Sequence, residues 1–365
     1  MIYHTRILIM AGGTGGHVFP GLAIAKALRA QGIQVSWLGT KQGLEAQLVP
    51  DAGFAIRFVC VGGLRGKGPV RQLLGPFLIL LAILQSLWVI ARVRPCVVLG
   101  MGGFVSGPGG VAAWLLRRPL LIHEQNAVPG MTNRLLARLA TGVMEAFPGS
   151  FPAVLGTAIR RPIEHTGNPV RHDIELLPSP SERFVRQKGA FRILILGGSQ
   201  GAEILNELVP AAIASLANPA SVTVRHQAGP QHLARTRRRY EDLDVNVELV
   251  PFIGDMAEAY GWADLVVGRA GAMTVTELAA AGTASILIPY PFAVDDHQTA
   301  NACFLAEVGA AVLVSQMDLT GVKLGWLFTE FQAARSQLVA MANAARRLSV
   351  PDATRRVVER CMEAA

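Results

Sequence analysis

Two segments of nearly the same wording open the two halves of this chain, RILIMAGGTGG from Arg6 to Gly16 and RILILGGSQGA from Arg192 to Ala202. In each, an apolar run reads as a buried strand, glycines follow, and a helical pattern comes next, which is how an α/β nucleotide-binding domain begins. One chain therefore carries two such domains. The fold class this implies is α/β, with two doubly wound Rossmann-like domains. A ligand shared by two such sheets lies across the carboxyl ends of both sets of strands, in an interdomain cleft.

Length agrees with that count, since 365 residues suit two domains that each bury a substantial core. The expected division is 1–168 and 169–349, with a helix at about 350–365 packing back on the first domain. Hydrophobic residues make up 51% and charged ones 16%, which places the chain far from the disordered regime. Lys and Arg exceed Asp and Glu by 34 to 26, a net +8 that favours phosphate-bearing partners or an anionic membrane surface. No helix-turn-helix, zinc-finger or RNA-binding signature accompanies the charge, so nucleic acid is not expected as a partner. Cys60, Cys96, Cys303 and Cys361 lack metal-ligand spacing and read as isolated buried thiols in a reducing compartment. The apolar run Ile7 to Met10 is too short for a signal peptide, which points to the cytoplasm.

In the first half, strands are expected at Ile7 to Met10, Gln34 to Leu38, Val97 to Leu99 and Leu120 to His123. Helices are expected at about Gly21 to Gln31 and Leu44 to Ala52, with Gly32 as a left-handed cap. The second half repeats the alternation from Arg192 to Ile288. Leu177 to Gln187, rich in Pro and Ser, reads as the linker. The segment Leu73 to Val93 is strongly apolar, but Gly75 and Pro76 interrupt it and Gln85 and Ser86 follow, so a membrane span is not expected. Two readings remain for it: a core helix, or a helix whose outer face dips into lipid headgroups beside the basic loop LRGKGPVR at Leu64 to Arg71.

The chemistry-bearing motifs cluster after strands. GGTGGHVFPG at Gly12 to Gly21 lets backbone approach a phosphate or sugar, and the next helix aims its N–H groups at negative charge. It is neither a Walker loop nor a dinucleotide fingerprint, because Leu38, Gly39 and Thr40 stand where a ribose-binding carboxylate belongs. His17 at its tip is a candidate base. GMGGFVSGPGG at Gly100 to Gly110 suits a second pyrophosphate. In HEQNAVPGMTNR, His123 and Glu124 point to opposite sides of an extended chain, so only one of them should touch substrate, and Asn126 suits sugar hydroxyls. Arg171 of GNPVR and Ser199 of GGSQGA suit phosphate. In RAGAMTVTELAAAG a tight turn opens a helix, placing a diphosphate on its N-terminus and leaving Glu277 for a ribose diol. His297, Gln298 and Asn301 of DDHQTANA are polar groups for hydroxyl recognition.

Together, GGTGGHVFPGLAIA, LRGKG, GMGGFVSGPGG, HEQNAVPGMTN, GNPVR, GGSQGA and the stretch from RAGAMTVTELAAAG to DDHQTANA closely resemble the MurG family, the bacterial N-acetylglucosaminyltransferases of peptidoglycan synthesis. The likeness runs nearly end to end and in order. It implies a GT-B fold and inverting transfer of GlcNAc from UDP-GlcNAc to the muramyl 4-hydroxyl of undecaprenyl-pyrophosphoryl-MurNAc-pentapeptide. No active-site metal and no cofactor are implied, and the enzyme would sit peripherally on the cytoplasmic face of the plasma membrane. Carried over by motif, donor contacts fall on Thr14, Gly15, Gly16, Asn126, Arg171, Ser199, Ile253, Ala272, Met273, Thr274, Val275, Thr276, Glu277 and Gln298, with Asn301 nearby. Phe252 and Ile253 would flank the uracil, and the acceptor pyrophosphate would meet Gly102, Gly103, Ser106 and Gly107.

Inversion needs a base on one face of the anomeric carbon and stabilisation of departing UDP on the other. His17 and, second, Glu124 are the candidates for the base; helix N–H groups from Gly271 onward and Arg171 are those for the leaving group. Two other classes share the architecture. A UDP-GlcNAc 2-epimerase or another two-domain UDP-sugar enzyme has no use for an apolar membrane element, and a non-catalytic UDP-sugar binder would show no turnover.

Overall fold

The computed structural model describes residues 5–62, 74–151, 162–186, 189–198 and 200–365. The chain forms two compact units, Met1–Val170 with Asp352–Ala365, and Arg171–Pro351. The loop LRGKGPVR and Ser199 lie outside the described residues.

The first unit is built on seven parallel strands, β1 (Arg6–Ala11), β2 (Gln34–Gly39), β3 (Ala55–Phe58), β4 (Val97–Gly102), β5 (Leu120–Glu124), β6 (Gly142–Glu145) and β7 (Ile163–His165). Their order is β3-β2-β1-β4-β5-β6-β7, so winding reverses between β1 and β4. That is the switch point at which α/β sheets open a crevice. Alternation along β1 feeds both faces of the sheet. Ile7 and Ile9 pack with Val18, Leu22 and Trp37 on one side, while Leu8 and Met10 pack with Val98, Ala112 and Ile122 on the other. Gly21 is demanded by this core, because a Cβ there would stand 2.7 Å from the Trp37 ring. The C-terminal helix Ala353–Glu363 joins the same unit, with Val357, Val358 and Cys361 buried against the helix Gly15–Ala30.

The second unit holds six parallel strands, β8 (Phe191–Leu196), β9 (Val222–Gln227), β10 (Asn246–Val250), β11 (Leu265–Gly268), β12 (Ser285–Leu287) and β13 (Ala311–Leu313). The order β10-β9-β8-β11-β12-β13 reverses between β8 and β11. Each unit therefore has a glycine-containing loop on both sides of its switch point.

Several local expectations change. The first helix begins at Gly15 rather than near Gly21, with Pro20 inside it; first-turn N–H groups need no intrahelical acceptor, so glycines are tolerated there. The stretch read as linker contains a helix, Pro180–Arg186, whose start is fixed reciprocally: Ser179 N and Oγ donate to the Glu182 carboxylate, and Glu182 N donates back to Ser179 Oγ. Cys60 is exposed rather than buried. Gly75 and Pro76 do not break the apolar segment but form the first turn of an unbroken helix, Gly75–Val93, because proline at that position loses no bond.

That helix has 19 residues and mean hydropathy 2.0, enough by length and composition to cross a membrane. One face, Ala82, Ser86, Val89 and Ile90, is buried, and the helix packs against the helix Ser106–Leu115. The opposite face, Phe77, Leu80, Leu81, Leu84 and Trp88, is exposed, Phe77 to 72% and Trp88 to 61%. The buried face agrees with the core-helix reading, and the outer face is left exposed.

Candidate active site

In the first unit the loops after β1, β4 and β5 meet at the switch point. Gly103 has φ +79°, and a Cβ on it would fall 2.2 Å from the Gly12 carbonyl oxygen, so the two glycine loops touch backbone to backbone. Gly102, at φ +104°, lies under the His17 ring; a Cβ there would be 2.8 Å from its Cε1 and Nδ1. Only glycine satisfies both the positive φ and the close approach. Thr14 precedes the helix Gly15–Ala30 in extended conformation without a side-chain cap, so the first-turn N–H groups of Gly15 and Gly16 are available to an anion. Gly107 lies in the first turn of the helix Ser106–Leu115.

Three buried polar side chains organise these loops. Glu45, with no exposed surface, accepts from Gly13 N at 3.0 Å and from Thr40 N and Oγ1 at 2.9 and 2.7 Å. One N–H of the glycine loop is therefore committed to a carboxylate rather than to ligand. Ser106 was expected at the acceptor pyrophosphate, but it is fully buried. Its hydroxyl spans Met10 O at 3.0 Å and Gly102 O at 2.7 Å and faces Gly102 N at 3.1 Å. It clamps β1 to β4.

Glu124, the second candidate base, is also corrected. It is 1% exposed, and its carboxylate accepts from Asn126 N and Nδ2, Gly130 N and Asn133 Nδ2 at 2.8–3.2 Å. Every acceptor direction is occupied by a donor that shapes the loop 125–130, so no lone pair is left for an acceptor hydroxyl. Asn126 is tied to Glu124 through both its backbone and side chain.

His17, partly exposed, has Nδ1 2.7 Å from Gln125 Oε1. Among the described residues its Nε2 has no hydrogen-bond partner. His123 is buried behind Gln125, and burial pushes its pKa down to about 4 despite the Gly167 carbonyl and Glu124 nearby. It is neutral at physiological pH.

In the second unit, the helix Ala272–Ala281 starts after Gly271, which is extended and offers no side-chain cap. The first N–H groups of that helix point out of the carboxyl end of β11, where a diphosphate gains from both hydrogen bonds and dipole. Ala272 and Val275 are buried, so their side chains serve the core and only backbone can serve a ligand there. Thr276 Oγ1 donates to Ala272 O at 2.9 Å, back into its own helix. Asn301 corrects another expectation: it is fully buried and donates to Ala270 O at 3.1 Å. Arg269 bonds the Ile288 and Pro289 carbonyls, each at 3.1 Å. Together these two side chains hold the turn.

Glu277, one turn into that helix, accepts from the buried Tyr260 hydroxyl at 3.1 Å. Burial raises its carboxyl to about 7, against the opposing pull of Arg171. Arg171 itself donates to Gly254 O at 3.0 Å. Gln298 accepts from Tyr290 N at 2.9 Å. Phe252 is half-exposed. The Ile253 N–H, expected to read a base edge, already donates to Gln227 Oε1 at 3.1 Å, while Gln227 Nε2 donates to Gly198 O at 2.6 Å. Phe252, Ile253 and Gly254 border a shallow cavity with Arg225 and Glu258.

Gln125, Gln227, Glu45 and Tyr260 were not singled out in the sequence. Gln125 carried a signal, because it stands two residues from His123 and so falls on the same side of an extended chain.

The Glycosyltransferase family 28 N-terminal domain matches residues 7–145, and the family's C-terminal domain matches residues 192–357. A relative from Nitrosococcus oceani is 54% identical over 99% of this chain and 99% of its own. It is named UDP-N-acetylglucosamine--N-acetylmuramyl-(pentapeptide) pyrophosphoryl-undecaprenol N-acetylglucosamine transferase. The crystal structure of Acinetobacter baumannii MurG is 42% identical, with TM-score 0.84 over 98% of this chain and 99% of that one. A UDP-GlcNAc 2-epimerase from Neisseria meningitidis, solved with UDP-GlcNAc, matches at TM-score 0.66 and 13% identity over 98% of this chain and 100% of that one, a likeness of fold alone. With both family domains matched in order and a relative identical at more than half of the aligned positions, the chain belongs to glycosyltransferase family 28.

Proposed function

We infer that the chain is an inverting N-acetylglucosaminyltransferase of peptidoglycan synthesis. It moves GlcNAc from UDP-GlcNAc to the 4-hydroxyl of MurNAc in undecaprenyl-pyrophosphoryl-MurNAc-pentapeptide, giving the lipid-linked disaccharide lipid II. The observation that carries this reading is 54% identity along essentially the whole length of a relative with that transferase name. In the displacement, the acceptor O4 bonds to the anomeric carbon, the bond from that carbon to UDP breaks, and its electron pair leaves on the β-phosphate.

His17 takes the O4 proton on Nε2, which has no protein partner among the described residues. Gly15, Gly16, Gly103 and Gly107 offer backbone N–H groups to the acceptor pyrophosphate, whereas the Gly102 N–H is committed to Ser106 Oγ. In the second unit the departing diphosphate rests on the N–H groups of Ala272, Met273 and Thr274 and is neutralised by Arg171. Glu277 accepts from the ribose hydroxyls, and the Phe252–Ile253 loop borders the uracil, with the Ile253 carbonyl as its available edge. Asn126, Thr14 and Gln298 complete the sugar contacts. The outward apolar face of the helix Gly75–Val93, with Arg92 placed over the Trp88 ring at 5.6 Å, supports peripheral attachment at the cytoplasmic membrane surface.

The direct test is transfer of labelled GlcNAc from UDP-GlcNAc in the presence and absence of the lipid-linked acceptor. Acceptor-dependent appearance of the disaccharide, with UDP-GlcNAc unaltered in its absence, is the expected result. Conversion of UDP-GlcNAc to its 2-epimer without acceptor would replace this reading by the epimerase.

A further inference from the structure

His17 sits at the end of a chain of hydrogen bonds whose directions are fixed by two backbone carbonyls. A carbonyl oxygen only accepts. Gln125 Nε2 lies 3.0 Å from His123 O; with the amide turned over, two carbonyl oxygens would face each other, so the amide nitrogen must be on that side. Gln125 Oε1 is then the atom 2.7 Å from His17 Nδ1, and it too can only accept. The proton is therefore on Nδ1 of His17.

The same logic fixes the residue behind. His123 Nε2 lies 2.9 Å from Gly167 O and must be its protonated nitrogen, leaving Nδ1 as the acceptor for Gln125 Nε2 at 2.9 Å. Gly167 can offer that carbonyl because its φ of +77° turns the chain just before Asn168. Asn168 Nδ2 donates to Gln125 O at 3.0 Å and holds the backbone of the relay. Gln125 and His123 have no exposed surface, so water does not compete for these bonds.

We propose that Gln125 and His123 are positioning residues that hold neutral His17 in its Nδ1–H tautomer, presenting the Nε2 lone pair as the base for the acceptor hydroxyl. This rests on the assignment of His17 as the base. An amide cannot pass a proton on, so Gln125 carries none: the O4 proton arrives on Nε2, and the Nδ1–H of the resulting imidazolium keeps its bond to Gln125 Oε1. The device orients the ring as a buried carboxylate does in hydrolase triads, but without placing a second charge beside a pyrophosphate-bearing substrate.

The tautomer is read directly from two-bond proton–nitrogen correlation spectra of protein labelled with ¹⁵N-histidine, with the His17 signals identified by their loss in His17→Ala. The expected spectrum above the titration of the ring shows protonated Nδ1 and bare Nε2. In Gln125→Leu the ring should shift towards the Nε2–H form that free imidazole prefers, kcat should fall on the order of tenfold to a hundredfold, and KM for UDP-GlcNAc should hold. A wild-type ring protonated on Nε2 overturns the proposal without any variant, so a misfolded Gln125→Leu does not protect it. Wild-type tautomer and kcat retained in a folded Gln125→Leu overturn it equally. If His17→Ala keeps its activity while the wild-type ring shows Nδ1–H, the tautomer stands and the base assignment is what fails.

Discussion

Glu277 carries a pH dependence in the second unit that falls near neutrality. Burial raises its carboxyl from 4.5 to about 7, so the free protein binds a proton there more tightly than the unfolded chain does. The sign follows from linkage: this contribution to stability is complete below the unfolded value and is lost as pH rises through the folded one, between about 4.5 and about 7. A ribose diol donates to the ionised form, so UDP-GlcNAc binding should release a proton near pH 6 and tighten up to about pH 7, then level off. Calorimetry in buffers of different ionisation heat measures that proton, and Glu277→Gln should abolish both the release and the slope. Removing the acceptor altogether in Glu277→Ala should weaken donor binding by roughly 10- to 100-fold, the loss of a charge-assisted bond worth about 1.5–3 kcal/mol; unchanged affinity would remove Glu277 from the site. His17→Ala should lower kcat on the order of a hundredfold with little effect on donor affinity. A loss of only a few-fold would mean that another group accepts the O4 proton.

At this scale the sequence was only half legible. His17 and Glu277 stand in motifs whose chemistry shows in their residue types. Ser106, Glu124 and Asn301 are polar residues of the same kind in the same loops, yet each faces inward to a backbone group. Spacing places a polar side chain in a loop but does not tell whether ligand or loop takes its hydrogen bonds.

Among the elements, the helix Gly75–Val93 is apolar on its exposed face as well as on its buried one. A soluble monomer gains nothing from exposing Phe77, Leu80, Leu84 and Trp88 together, whereas a headgroup interface rewards it. Replacing Leu80 and Trp88 by Ser leaves the buried stripe Ala82, Ser86, Val89 and Ile90 intact, so folding should hold. Vesicle binding should fall, and transfer to an acceptor embedded in anionic vesicles should drop more than transfer to a short-chain soluble analogue. Equal loss on both acceptors would make the outer face a structural surface only. The strands beginning β1, β4, β5 and β8 were legible because parallel strands buried on both faces are continuous apolar runs. The exposed four-residue β3 and the short β7 have no such run, and the helix Pro180–Arg186 hid behind the prolines and serines that cap it.

Across the whole molecule, the last residues of the chain belong to the first unit. Val357, Val358 and Cys361 fill the layer between the helix Ala353–Glu363 and the helix that carries His17, and Arg360 pairs with Glu164 of β7 at 2.8 Å. The apolar period of the tail is readable; its placement on the first domain is an expectation that nothing local in the helix dictates, and the structure packs it there. The packing makes the first unit depend on residues translated after the second unit is complete. Val357→Asp should therefore bury an unpaired carboxylate in that layer, at a cost of several kcal/mol, and loosen β1, β4 and the helix Gly15–Ala30. Hydrogen–deuterium exchange should rise in those elements and stay unchanged in β8 and β11. Transfer should be lost while UDP-GlcNAc still binds to the second unit with its normal affinity, measured by calorimetry. If exchange rises equally in β8 and β11, or donor binding disappears with transfer, the tail supports both units and the dependence proposed for the first alone is wrong.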